Sequence, residues 1–88
     1  MAKVDTARAV DFRARVKDVF NAAYPEGYVD VSTGYRTNVH VVIVSRAFDD
    51  MKEEEKQEAV WAVARRHLGK DAQRISIMLA YSPDELKG

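Results

Sequence analysis

The stretch Asn38-Val39-His40-Val41-Val42-Ile43-Val44-Ser45 decides the fold. Val39, Val41 and Ile43 alternate with His40, Val42 and Val44, so both faces of an extended chain are largely apolar here. β-Branched residues are stiff at χ1 and pack well on a pleated surface, which predicts a strand near the middle of a sheet. Just upstream, Tyr28-Val29-Asp30-Val31-Ser32 alternates cleanly, with Val29 and Val31 on one side and Tyr28, Asp30 and Ser32 on the other. That pattern is a half-buried strand. Thr33-Gly34-Tyr35-Arg36-Thr37 has the length of a hairpin loop, with Gly34 free to take positive φ, so the two strands pair antiparallel.

Helices are expected on either side of this hairpin. From a cap at Asp5 or Thr6 to Ala23, Ala9, Phe12, Val16, Val19, Phe20 and Ala23 fall in one stripe, while Arg8, Asp11, Arg15 and Asp18 fall opposite. Asp11 and Arg15 are spaced to pair, and Tyr24-Pro25-Glu26-Gly27 stops the helix. After an irregular link with apolar anchors, Arg46-Ala47-Phe48-Asp49-Asp50-Met51, the segment Asp50-Met51-Lys52-Glu53 has capping-box spacing. The second helix runs to Leu68, with Gly69 as its C′ residue. Its start is acidic (Glu53, Glu54, Glu55) and its end basic (Arg65, Arg66), a gradient that suits the helix dipole. Val60, Val63, Ala64 and Leu68 form its apolar stripe, with Trp61 at the core rim. A last strand, Arg74 to Tyr81, places Ile75, Ile77 and Leu79 on one face and Ser76, Met78 and Ala80 on the other. Ser82-Pro83-Asp84-Glu85 begins a short final helix, with serine as cap and proline at the first position.

The order α-β-β-α-β predicts a two-layer α+β sandwich: one domain over residues 1–88, a three-stranded mixed sheet, and both helices on one sheet face. Val29, Val31, Val39, Val41, Ile43, Ile75, Ile77 and Leu79 are expected under the helices. Tyr28, His40, Val42, Val44 and Met78 are expected on the open face, more apolar than a solvated face needs to be. A protein partner or a second copy would cover such a surface.

Composition narrows the chemistry. The chain has 88 residues, no cysteine and a formal net charge of zero. Disulfides, thiolate metal sites and thiol catalysis drop out. Balanced charge argues against a strongly basic nucleic-acid module or a membrane-surface binder. There is no apolar N-terminal run and no stretch long enough for a membrane span, so a cytoplasmic protein is expected. No GxSxG, HExxH, P-loop or dinucleotide fingerprint is present, and no catalytic residue is assigned. His40 and His67 are the only histidines; His40 has no second His or Cys near it in sequence, and His67 lies in the last turn of the long helix, where a histidine commonly meets the final carbonyls, so no metal ligand and no cofactor are assigned. Arg36, Arg65, Arg66, Lys70 and Arg74 are the candidate nucleic-acid contacts, although the order resembles type II KH domains without their GXXG loop.

His40-Val41-Val42-Ile43-Val44-Ser45, then Phe48, Met51, Leu68 and Tyr81-Ser82-Pro83-Asp84-Glu85-Leu86, resemble the BolA-like family over about fifty residues. The resemblance implies a non-enzymatic protein with a KH-related fold. It also implies a monothiol glutaredoxin partner in iron–sulfur cluster handling, or DNA binding as in some members. Two departures stand against full carry-over. Glu53-Glu54-Glu55-Lys56-Gln57 occupies the place of the family's Arg-His-Arg signature, and Met78 or Leu79 the place of its late-strand histidine. The leading expectation is therefore an adaptor or regulatory protein whose partner surface includes His40, Val42, Val44, Arg46, Phe48, Met51 and Met78. Nucleic-acid binding is the alternative.

Overall fold

A computed structural model describes residues 2–87, with side chains described from residue 12 onward. The elements are α1 (Ala2–Ala23), β1 (Tyr28–Thr33), β2 (Val39–Val44), a 3-10 turn (Arg46–Phe48), α2 (Glu53–Leu68), a 3-10 segment (Gly69–Arg74), β3 (Ile75–Tyr81) and α3 (Pro83–Lys87). The α+β class, element order and mixed sheet agree with the sequence pattern. β2 lies in the centre, antiparallel to β1 and parallel to β3. Parallel pairing requires a crossover, and α2 supplies it.

Both long helices pack on one face of the sheet. Phe12, Val16 and Phe20 of α1 and Val60, Ala64 and Leu68 of α2 are buried with Val39, Val41 and Ile43 of β2 in one cluster. Val19 and Val63 are partly buried beside them. Ala23, expected in the α1 stripe, is exposed in the last turn of the helix. The side chains of Arg8, Ala9 and Asp11 lie outside the described residues. Helix α1 starts upstream of Asp5 and Thr6, so neither is its cap. Arg15 reaches Asp71 at 3.1 Å, which ties α1 to the segment after α2.

Local chemistry departs from expectation at three places. Helix α2 begins at Glu53, and the Lys52 N–H donates to Glu55 Oε1 at 2.8 Å. Asp50 is not the cap; it takes φ 63° in a turn closed by the Met51 N–H on Phe48 O. In the hairpin, Arg36 rather than Gly34 takes positive φ, at 58°. Gly34 is small for another reason: a Cβ there would lie 2.9 Å from His40 Nε2. Gly69 does end α2 with φ 58°, where a side chain would be strained.

The largest correction lies in β3. Val39 pairs with Ile75, but the next residue, His40, pairs with Ile77, so Ser76 is an extra residue in the strand. A bulge of this kind shifts the alternation by one position. Ile75 stays inside, while Met78 and Ala80 turn to the core in place of Ile77 and Leu79. Met78 is 4% exposed and is not on the open face; Ile77 and Leu79 are 43% and 39% exposed and are on it. The strand is further held by Gln57, whose Nε2 donates to Met78 O at 2.9 Å, and Trp61 Nε1 donates in turn to Gln57 Oε1.

This register makes a direct prediction. Truncating buried Met78 to alanine should cost about 2–5 kcal/mol, the usual cost for a core methionine. Ile77→Ser and Leu79→Ser should each cost about 1 kcal/mol or less. Denaturant midpoints of the three variants check the order; a reversed order would restore the uninterrupted alternation.

Candidate functional site

Three rows of side chains cross the open face of the sheet. Tyr28, Val44 and Tyr81 are in register, as are Asp30, Val42 and Leu79, and Ser32, His40 and Ile77. Six of these nine positions carry an aliphatic or tyrosine side chain. The apolar groups concentrate on β2 and β3, and β1 supplies the polar margin with Asp30 and Ser32. Tyr28 is 63% exposed, while Val42 and Val44 are half-buried by their neighbours. Of the expected partner residues, His40, Val42 and Val44 are brought together here. Ile77, Leu79 and Tyr81 join them, and periodic alternation alone hid Ile77 and Leu79 behind the bulge.

Beyond Val44 the face runs into a groove of about 570 Å³, with Tyr24, Pro25, Ala47 and Pro83 in its walls. Arg46 stands at this groove, 68% exposed in its side chain and 3.5 Å from Asp49. The other two expected partner residues of the link point inward. Phe48 is 2% exposed and packs against Tyr24, ring centroids 5.0 Å apart. Burial of Tyr24 raises its phenol pKa. Met51 packs partly buried against the core. Phe48 is thus a hydrophobic anchor that fixes the link, and it offers no free surface. The turn is set by Ser45, whose Oγ accepts from the Ala47 N–H at 3.0 Å.

The candidate nucleic-acid residues gather at the opposite end, where the hairpin loop, the end of α2 and the start of β3 meet. Arg36, Arg65, Arg66 and Lys70 are exposed. Arg74 is engaged: its Nη2 donates to Thr37 O at 3.2 Å, and its guanidinium lies 3.9 Å from the Phe12 ring centroid. It braces the hairpin against α1 and is not a free contact. Arg36 sits 5.4 Å from the Tyr35 ring centroid in the loop.

One ion pair was not legible in sequence. Lys56, 2% exposed, donates to Glu85 Oε1 and Oε2 at 2.9 and 2.8 Å and lies 3.3 Å from Glu53. Glu85 also accepts from the Ser82 N–H at 2.7 Å, so it caps α3 while holding α3 to α2. The hydrogen bond to Glu85 raises the Lys56 pKa, and the bond from Lys56, then that from Ser82, lowers the Glu85 pKa. Glu53 and Glu55 are therefore employed structurally, although the acidic run is exposed.

Among the described residues no three His, Cys, Asp or Glu side chains converge as a metal site, and no helix is long and apolar enough to cross a membrane. The chain matches no protein-family model and no curated protein.

The Lys56–Glu85 pair sets a pH dependence. Glu85 has a lowered pKa, so its contribution is present above the ordinary carboxylate value and is lost as pH falls through the lowered one. Lys56 has a raised pKa, so its contribution is present below the ordinary lysine value and is lost as pH rises through the raised one. Stability should be level between roughly pH 5 and pH 10 and fall on both sides. Glu85→Gln should lower the thermal midpoint at neutral pH and make the acid fall shallower. Melting curves from about pH 2 to about pH 12, which span the carboxylate and amine ranges, measure these effects.

Proposed function

We propose that this protein is a non-catalytic adaptor or regulatory protein that binds a protein partner through the open face of its sheet. The observation that carries this reading is the apolar ladder Val42, Val44, Ile77, Leu79 and Tyr81 on a face that no helix covers among the described residues. Solvent-exposed apolar groups in contiguous rows are a feature of interaction surfaces. The groove beside Val44 and the cation of Arg46 extend the same surface. The resemblance to the BolA-like family supports the choice of a monothiol glutaredoxin as first candidate partner, in the cytoplasm. His40 is the histidine of this face, and the late-strand position of the family's histidine is occupied by core Met78 or by Leu79.

Nucleic-acid binding is a second reading, favoured by the exposure of Arg36, Arg65, Arg66 and Lys70 around one end of the molecule. Arg74 would serve it indirectly, by bracing the hairpin. The two readings differ in salt dependence. A contact driven by phosphates weakens by orders of magnitude between about 50 and 200 mM salt, because counterions are released.

Titration of the isotope-labelled protein with cluster-loaded monothiol glutaredoxin, followed by amide shifts, tests the first reading. Shifts should cluster at Val42, Val44, Leu79 and Tyr81, change little with salt, and disappear in Val42→Glu. A partner that binds Val42→Glu as well as the parent would remove the sheet face as the site. Salt-sensitive shifts at Arg36 and Lys70 with short single-stranded nucleic acid would favour the second reading.

A further inference from the structure

We infer that the free edge of β1 is a second binding site, distinct from the open face, and that it takes an extended acidic segment of another protein as a fourth strand. The hydrogen-bond phase of the hairpin shows which groups are on offer. The Gly34 N–H donates to Asn38 O at 2.8 Å, and these two residues continue the register of Thr33 and Val39. In an antiparallel pair, bonded positions recur every second residue. Ser32, Asp30 and Tyr28 therefore bond to β2, and the N–H and C=O groups of Val29, Val31 and Thr33 point outward. No hydrogen bond among the described residues reaches those outward groups. The β3 edge differs: Gln57 of α2 donates to Met78 O, and the bulge at Ser76 breaks the row. Bulges and covering side chains are the usual protection of an edge strand, and β1 has neither. Val31, on the helix side of β1, is also only half-buried, where its partner Val41 is fully buried.

The helix layer selects the occupant. Two helices side by side need about 20 Å, whereas three strands about 4.8 Å apart span about 10 Å. The layer overhangs each outer strand by about one strand spacing. α1 lies over β1 and α2 over β3. A second copy would bring its own α1 over its own β1, and the two overhangs would claim the same space. A lone extended segment brings no helix and fits beneath α1.

The flank of α1 sets the charge. Arg15 reaches Asp71, so that flank faces the segment after α2. Residues two apart on a helix are about 200° apart, which puts Arg13 and Lys17 on the opposite flank, above the β1 edge. Arg13 Nε is buried with no hydrogen-bond partner. Lys17 is exposed, and among the described residues no ion pair joins either cation to Asp30, Glu26 or another carboxylate. In an added antiparallel strand, the residues opposite Val29, Val31 and Thr33 bond to them and turn their side chains towards α1. Carboxylates at those alternate positions meet Arg13 and Lys17.

The test uses the isotope-labelled full chain and six-residue peptides, the length of β1, with threonine alternating with glutamate or with lysine. The glutamate peptide should shift the amides of Val29, Val31 and Thr33 and slow their hydrogen exchange. The lysine peptide should bind about fivefold more weakly, and Arg13→Gln with Lys17→Gln should remove the difference. N-methylation of the glutamates, which blocks the N–H groups that face β1, should abolish binding. Val42→Glu, on the open face, should leave it unchanged, so this site and the sheet-face reading fail separately. Shifts confined to Val42 and Val44, or undiminished binding of the N-methylated peptide, overturn strand addition. Equal binding of the two parent peptides overturns the acidic segment. Protection of the Val29, Val31 and Thr33 amides that grows with the chain's own concentration assigns the edge to a second copy and overturns the proposal.

Discussion

Everything in this fold depends on β2 being enclosed on both edges and on one face. Val39, Val41 and Ile43 are at most 1% exposed, and the backbone pairs with β1 on one edge and β3 on the other. A strand so placed fixes which face each neighbour must turn inward, because a slip of one residue would exchange core and solvent sets. It also fixes α2, since a parallel neighbour is reached only by crossing over the sheet. α1 then fills the remaining part of the same face with Phe12, Val16 and Phe20. Among the described residues no third long element lies on the other face.

Much of this was legible in the residues. The β-branched run of β2, the alternation of β1 and the stripes of both helices carry strong periodic signals, and burial follows them. The β3 register was not legible, since Ile75, Ile77 and Leu79 form an unbroken alternation. A bulge reverses the outcome at Ser76, and only the pairing with Val39 and His40 reveals it. Three-dimensional fit won over pattern: Met78 and Ala80 fill the space under the helices, and the branched Ile77 and Leu79 go outside. The candidate partner site was correspondingly half legible. His40, Val42, Val44 and Arg46 are at the surface expected of them, while Phe48 and Met78 are buried. A lone phenylalanine in an irregular link has no period to say which way it points.

Lys56 shows a second limit of pattern reading. On the sequence it continues a charged run after three glutamates, and a solvated position is the natural expectation. The partner that encloses it, Glu85, is 29 residues away and becomes available only when α3 folds back beside α2. Both carboxylate oxygens take hydrogen bonds from the ammonium, which satisfies the buried donors. A buried amine without that carboxylate would be destabilising, so the pair acts on geometry: it holds α3, and with it Pro83 at the groove wall.

A formal net charge of zero conceals how the topology sorts the charges. Because β2 and β3 are parallel, the loops at their C-terminal ends lie together with the start of α2. Asp49, Asp50, Glu53, Glu54, Glu55, Asp84 and Glu85 belong to that end and outnumber its cations Arg46, Lys52, Lys56 and Lys87. Arg36, Arg65, Arg66, Lys70 and Arg74 belong to the other, with Asp71 among them. The gradient along α2 agrees with its dipole, which favours anions at its N-terminus and cations at its C-terminus. Charge separation by topology keeps both ends hydrated and leaves the middle of the open face nearly neutral. An apolar contact there would meet little opposing charge. Non-directional burial alone discriminates little among partners, so the selectivity of any such face rests on the charges around it.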